Sequence, residues 1–358
     1  MRHSIRIPHI RPIALATALA SLMPVTSTWA QQTVTGLPRV SPAARVSQVV
    51  GITEIEVSYH RPALREREIW GTLVPYGQIW RAGANENTTV RFSHDVKVEG
   101  KDLAAGTYGF HLQPNENGPW TAIFSQDHHA WGSYAYDSAR DALRVDIEPR
   151  SATPQEQLVY RFDGGTTTGV TLILHWADQE VPIQIETDTH RHVIDDFKAQ
   201  LTGLPAFAWQ GWNSAASYCV RSGVYFDECR QWIDRSLAMS RQTRNLMTHA
   251  GLLALEGKED QIAAVEEEAL KTATEQEVNA IGYTYLYQRN DAAKAVELFR
   301  RNVAENPESW NAHDSLAEAL AALGKKEEAV KVYKKALAMA PESQKERIEG
   351  VLKGMGGG

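Results

Sequence analysis

Between Trp80 and Thr88 the chain reads Trp-Arg-Ala-Gly-Ala-Asn-Glu-Asn-Thr, and these residue types suit recognition of a ligand. Arg81 offers five N–H donors in a planar fork that matches a carboxylate, a phosphate or an aromatic face. Gly83 permits a left-handed backbone or a close approach, Asn85 can bond its own main chain, and Thr88 opens the next strand. With Tyr59, His60, Arg61 and His111, the residues Trp80, Arg81, Asn85 and Thr88 form a candidate pocket for an anionic or sugar-like ligand; Arg67 and Trp70 stand close in sequence. The same string has a structural alternative, in which Arg81 pairs with Glu68 or Glu86 and Asn85 pins the loop, because loop backbone groups need partners.

Other chemistry-bearing residues are scattered. Histidine is frequent in the first half, at His60, His94, His111, His128, His129, His175, His190 and His192. His190 and His192 would share a face on an extended strand, one arrangement that binds a metal, but no third ligand is set by spacing and no metal is assigned. Asp127-His128-His129 reads as an exposed turn. Gly-x-Ser-x-Gly, His-Glu-x-x-His and a phosphate-cradling glycine loop are absent. That lowers the case for an enzyme, and no cofactor is implied. Cys219 and Cys229 are the two cysteines. Their placement on neighbouring helices makes a disulfide geometrically possible, with a pair of packed thiols as the alternative.

The elements that must carry these residues divide in two. From about Pro38 to Glu186 the period is two: Leu158, Tyr160 and Phe162 alternate with Val159 and Arg161, and Val170, Leu172, Leu174 and Trp176 with Thr171, Ile173 and His175. Further strands are predicted at 53–59, 88–92, 96–99, 107–112, 120–124, 143–147 and 181–185, separated by turns such as Asp163-Gly164-Gly165. Eight or nine short strands without helices between them predict an antiparallel β-sandwich at 36–188. After about Thr189 the period becomes helical. Gly324, Ala329, Tyr333, Ala336 and Pro341 repeat a small, aromatic, small, proline spacing, and Gly282, Tyr285, Ala295, Phe299 and Pro307 give it once more. This is the pattern of tetratricopeptide helix pairs, in which small residues let two helices approach and proline ends the second. Two weaker units surround Gly257 with Ala269, and Ala216 with Cys229 and Trp232. The fold class predicted is therefore multidomain β + α, with an α-helical tetratricopeptide-like repeat domain at 189–350 and a flexible tail at 351–358.

Composition bounds the rest. The 358 residues carry 37 Lys+Arg against 44 Asp+Glu and a formal charge of −7, so no basic domain is present to bind nucleic acid. Residues 1–30 hold Arg2, Arg6 and Arg11, no acid, an apolar run from Ile13 to Met23 and the ending Thr28-Trp29-Ala30, the form of a secretory signal peptide. The run is too short to span a bilayer, and no other transmembrane segment follows it. Cleavage there would take the length from 358 to 328 and the charge from −7 to −10, and would place the protein in a periplasmic or secreted, disulfide-permissive setting.

The strings Tyr59-His60-Arg61-Pro62, Arg67-Glu68-Ile69-Trp70-Gly71, Leu73-Val74-Pro75-Tyr76-Gly77 and Leu103-Ala104-Ala105-Gly106-Thr107-Tyr108, together with the loop from Trp80 to Thr88, resemble the bacterial secreted family called domain of unknown function 2911. The resemblance covers roughly Leu37 to Ile185, and Ala82 stands where that family more often has threonine. It implies export and a β-rich fold, and it brings no reaction. The expectation is an exported binding or scaffold protein, its repeats holding a protein or peptide and its β-domain a ligand. The alternative is a periplasmic hydrolase acting on envelope carbohydrate or peptide, with His60 or a nearby carboxylate as base.

Overall fold

The computed structural model describes residues 38–356; the export segment read at 1–30 lies outside them. Among the described residues ten strands come first: β1 (Ala43–Val50), β2 (Thr53–His60), β3 (Thr89–Phe92), β4 (Val96–Val98), β5 (Lys101–Leu103), β6 (Gly106–Gln113), β7 (Trp120–Ser125), β8 (Asp141–Ile147), β9 (Arg150–Asp163) and β10 (Gly169–Glu186). They form a six-stranded sheet, β1-β2-β3-β6-β7-β8, and a four-stranded sheet, β5-β4-β10-β9. Every pairing between neighbours is antiparallel.

Alternation decides which face is buried. In β2, Ile55, Val57 and Tyr59 point inward; in β6, Phe110 and Leu112 do; in β10, Leu172, Leu174 and Trp176 do, and all join one core with residues from both sheets. β6 departs from simple alternation, since its outer face is covered too and His111 is only 2% exposed. The two runs expected at 170–176 and 181–185 are one strand, bent where Ala177 takes φ +52° and the register with β9 shifts. Two strands are additional to those predicted. β1 is an edge with every second residue exposed from Ala43 to Val49, and β5 has three residues.

Ten helices follow among the described residues: α1 (Thr189–Gln200), α2 (Trp209–Ser222), α3 (Phe226–Met239), α4 (Thr243–Leu255), α5 (Glu259–Lys271), α6 (Glu275–Tyr283, prolonged by a π turn at Thr284–Gln288), α7 (Ala292–Glu305), α8 (Trp310–Ala322), α9 (Lys326–Met339) and α10 (Glu342–Gly354). From α2 onward they pack as antiparallel hairpins of tetratricopeptide type. Gly282 shows why small residues are needed there: a Cβ on it would lie 2.4 Å from Phe299 Cε1 of the partner helix. Gly324, at φ +80°, ends α8 and turns the chain into α9. α10 runs four residues into the segment read as a tail from 351 onward.

α1 joins the two parts. Thr53 and Thr187 share a buried hydroxyl hydrogen bond of 2.8 Å, and His192 Nε2 lies 2.8 Å from the Asp95 carbonyl. Because His190 and His192 sit on this helix, they do not share the face an extended strand would give them. His190 Nδ1 meets Tyr218 at 2.9 Å, whereas the His192 ring packs 4.8 Å from that of His94. No helix among the described residues is long and apolar enough to cross a membrane.

Candidate functional site

The Trp80–Thr88 segment begins where Trp80 pairs with Leu112 of β6 and leads into β3, and its side chains bond main-chain carbonyls. Trp80 Nε1 donates to Gly83 O at 3.1 Å, Thr88 Oγ1 to Ala82 O at 3.2 Å, and Tyr160 Oη to the same Ala82 O at 2.8 Å. Asn85, at φ +58°, donates through Nδ2 to Ser41 O at 3.1 Å. Gly83 is required by proximity, since a Cβ there would stand 2.5 Å from Thr88 Oγ1. These bonds satisfy carbonyls that a tight loop would otherwise bury unpaired. Four tryptophans lie behind: Trp80 stacks on Trp176 with ring centres 5.7 Å apart, and Trp70 touches Trp80, Trp120 and Trp176.

Arg81 pairs with neither Glu68 nor Glu86. It donates through Nη1 to the Asn85 carbonyl, and its guanidinium lies 5.7 Å from the centre of the Tyr134 ring. Gly132, at φ +64°, packs so closely that a Cβ would come within 2.8 Å of Arg81 Cζ. Trp80, Arg81 and Asn85 open on a cleft of about 450 Å³, whose wall includes Arg65, Arg67, Trp176 and Tyr134. Among the described residues no aspartate or glutamate lines it. Arg67 is tied to carbonyls, with Nε to Leu64 O at 2.9 Å and Nη2 to Ala63 O at 2.7 Å.

The other residues read from the sequence lie elsewhere. Tyr59 is a core ring, edge-on to Tyr160 at 4.7 Å, and its hydroxyl accepts from the Tyr160 amide. Arg61 donates from Nε to Leu158 O at 3.0 Å, linking the two sheets. Thr88 is fully buried. His60 lines a separate groove of about 400 Å³, where its Nε2 lies 3.2 Å from Glu86 Oε2. Burial holds the His60 pKa below its ordinary value despite Glu86, so the ring is a neutral base at pH 7. Glu86 is shared with Arg39, and Asp127 pairs with Arg140 at 3.2 Å.

His111 faces the segment 126–137 that covers β6. Its Nδ1 lies 2.9 Å from Ser133 Oγ, and its ring packs edge-on to Tyr136 at 5.4 Å. Burial pushes its pKa down to about 4; Asp141 opposes this and Arg81 adds to it. Tyr136, bonded to Asp141 and to Arg144, is pushed up to about 12, mainly by burial. The same segment exposes Trp131 and Tyr134 to solvent. Sequence reading missed Tyr134 and Trp176 as cleft residues; the signal available was an aromatic-rich turn, Trp131-Gly132-Ser133-Tyr134-Ala135-Tyr136.

Cys219 on α2 and Cys229 on α3 are fully buried free thiols, so the disulfide considered from their placement is not formed in this structure. Cys229 Sγ donates to Ala216 O at 3.3 Å, and the neighbouring Cys219 sulfur together with burial pushes the Cys229 pKa up. In the repeats, Glu266 is buried and held by Tyr285 and by Arg289 Nη1 at 3.0 Å.

Fold and site together define a two-sheet β-domain with an arginine-lined cleft, followed by tetratricopeptide-like helices. Residues 41–185 match the family described as protein of unknown function (DUF2911), and residues 310–343, spanning α8 and α9, match the tetratricopeptide repeat. Among curated proteins none matches the chain. Similar solved structures include MamA of AMB-1, at 21% identity over 42% of this chain and 83% of that one with a TM-score of 0.28. A chain of the APC/C hetero-tetramer Cut9-Hcn1 matches at 16% identity over 41% and 28%, TM-score 0.30, and yeast Tom70 at 14% over 46% and 42%, TM-score 0.26.

Proposed function

We propose that this is an exported binding or scaffold protein, whose tetratricopeptide-like helices engage a protein or peptide while the β-domain holds a small anionic or sugar-like ligand in the cleft beside Arg81. Helix pairs of this type stack into an extended surface suited to a partner segment. The observation that carries the ligand reading is the cleft wall: Arg65, Arg67 and Arg81 line it, and among the described residues no aspartate or glutamate does, in a chain of net charge −7. Guanidinium groups in such a recess attract and orient an oxyanion. Export rests on the basic, then apolar, N-terminal thirty residues.

Incubating the purified protein with bacterial envelope fractions, then analysing bound and free components by mass spectrometry, tests this reading. Stoichiometric capture of a small component, lost in Arg81→Ala with the melting temperature unchanged, is the expected result. A severe loss of thermal stability in Arg81→Ala would instead make the arginine a structural residue. Turnover of any component, abolished in His60→Ala, would replace the reading with a hydrolase.

A further inference from the structure

We infer that the ligand of the Arg81 cleft is an acidic sugar, a pyranose bearing a carboxylate; this rests on the ligand-binding reading above and names its chemical class. Three observations on different parts of the site converge on it.

The first is charge. Arg39, Arg91, Arg140, Arg144, Arg150 and Arg161 of the β-domain each reach a carboxylate within 3.2 Å. The guanidinium groups of Arg65, Arg67 and Arg81 form no ion pair among the described residues, although the Arg65 main-chain N–H donates to Glu156 Oε1 at 3.2 Å, and all three residues line the cleft. Three guanidinium groups without a side-chain ion pair, in an acidic protein, attract an anion.

The second is the fork. Arg81 uses Nη1 on the Asn85 carbonyl, which leaves its Nε–Nη2 edge for a ligand. Two parallel N–H donors on one edge match the two oxygens of a planar carboxylate. Gly132 packs closely against the guanidinium and the Nη1 bond to Asn85 fixes one end of it, so part of the ordering cost of binding is met before a ligand arrives.

The third is apolar surface. Tyr134 is 85% exposed, Val40 71% and Leu73 44%, and all three border the cleft with Trp80. Exposed aromatic and aliphatic side chains beside arginines call for a ligand with a flat C–H face as well as a charge, and a pyranose has both. At about 450 Å³ the cleft is of small-molecule size. A folded protein would need a broad flat surface.

The test uses the full chain and calorimetric titration at low salt with five probes: galacturonate, digalacturonate, neutral galactose, inorganic phosphate and N-acetylalanine. The expected result is 1:1 binding of the uronates, with galactose, phosphate and N-acetylalanine at least about tenfold weaker. Arg81→Lys, which keeps charge but loses the fork, lowers uronate affinity at least about tenfold, and Tyr134→Ala lowers it about threefold or more. Both variants keep the wild-type melting temperature, and the remote Arg221→Ala binds as wild type. Phosphate or N-acetylalanine binding as tightly as galacturonate, in an Arg81-dependent manner, overturns the acidic sugar while leaving the cleft a ligand site. Galactose binding equally well overturns the role of the carboxylate. If no probe binds, or if Arg81→Lys retains full affinity, the inference fails.

Discussion

Replacing His111 with asparagine measures how strongly the segment 126–137 seals the outer face of β6. The imidazole is 2% exposed and meets Ser133 Oγ, and burial drives its pKa from an ordinary 6.5 to about 4. The unfolded chain therefore takes up a proton on this ring near pH 6.5, whereas the folded chain resists until about pH 4. Between those values the unfolded state binds more protons, so the contribution to stability is present above pH 6.5 and lost as the pH falls through the folded value. Integrated from pH 7 to pH 5, the loss is about 2 kcal/mol. His60, His94 and His249 also have lowered values, with burial as the first cause, so the wild-type slope alone cannot be assigned to His111. The difference between wild type and His111→Asn can, because the variant lacks only this titration and its constant packing cost cancels between the two pH values. Urea unfolding is followed by tryptophan fluorescence, to which the Trp70, Trp80, Trp120 and Trp176 cluster of the β-domain contributes. The stability gap between the two proteins should narrow by about 2 kcal/mol on going from pH 7 to pH 5. A gap that stays constant, or widens, would show that the imidazole is hydrated and that the covering segment is open.

Two further predictions concern the helices. Gly282→Ala should lower the melting temperature of the helical part, because overpacking against Phe299 at 2.4 Å costs about 1–3 kcal/mol and exceeds the roughly 1 kcal/mol of helix propensity gained; a neutral or stabilising effect measured by circular dichroism would refute the close approach of α6 and α7. Cys219 and Cys229, buried free thiols, should resist a thiol reagent in the native protein and release two equivalents on unfolding without reductant. Release of none would mean that the protein carries them as a disulfide.

How much of this was legible in the sequence depends on the range of the forces involved. Inward strand positions such as Leu172, Leu174 and Trp176 declare themselves through local alternation, and Gly282 with Phe299 through the small-and-aromatic spacing of a helix pair. β1 escapes because its inward row, Ala44, Val46 and Val50, is short and interrupted by Gln48; pairing with β2 along its whole length supplies what that row does not announce. The arginine-loop string was also legible, but its division of labour was not. Asn85 and Thr88 bond the local backbone, as their types allow, whereas Arg81 meets Tyr134 and Gly132 across some fifty residues of chain. Only the ordering β3-β6-β7-β8 brings that segment over the loop, and no local spacing encodes it. Tyr59, Arg61 and His111 look like pocket residues for a related reason: polar groups on or beside strands look available until the second sheet or the covering segment is in place.

That covering segment ties the pieces together physically. Ser133 and Tyr136 close over His111, and Tyr134 between them turns outward to form the cleft wall against Arg81. The two roles are coupled through one short stretch of backbone. With His111 neutral, burial of the ring costs little and the segment stays seated. Were the ring charged, it would face the Arg81 guanidinium, with Asp141 as the opposing charge. A ligand whose affinity depends on Tyr134 should therefore weaken below the pH at which His111 takes up its proton, and His111→Asn should remove that part of the pH dependence while leaving the affinity at pH 7 nearly unchanged. Loss of affinity at low pH that persists in His111→Asn would assign it to protonation of the ligand's own carboxylate.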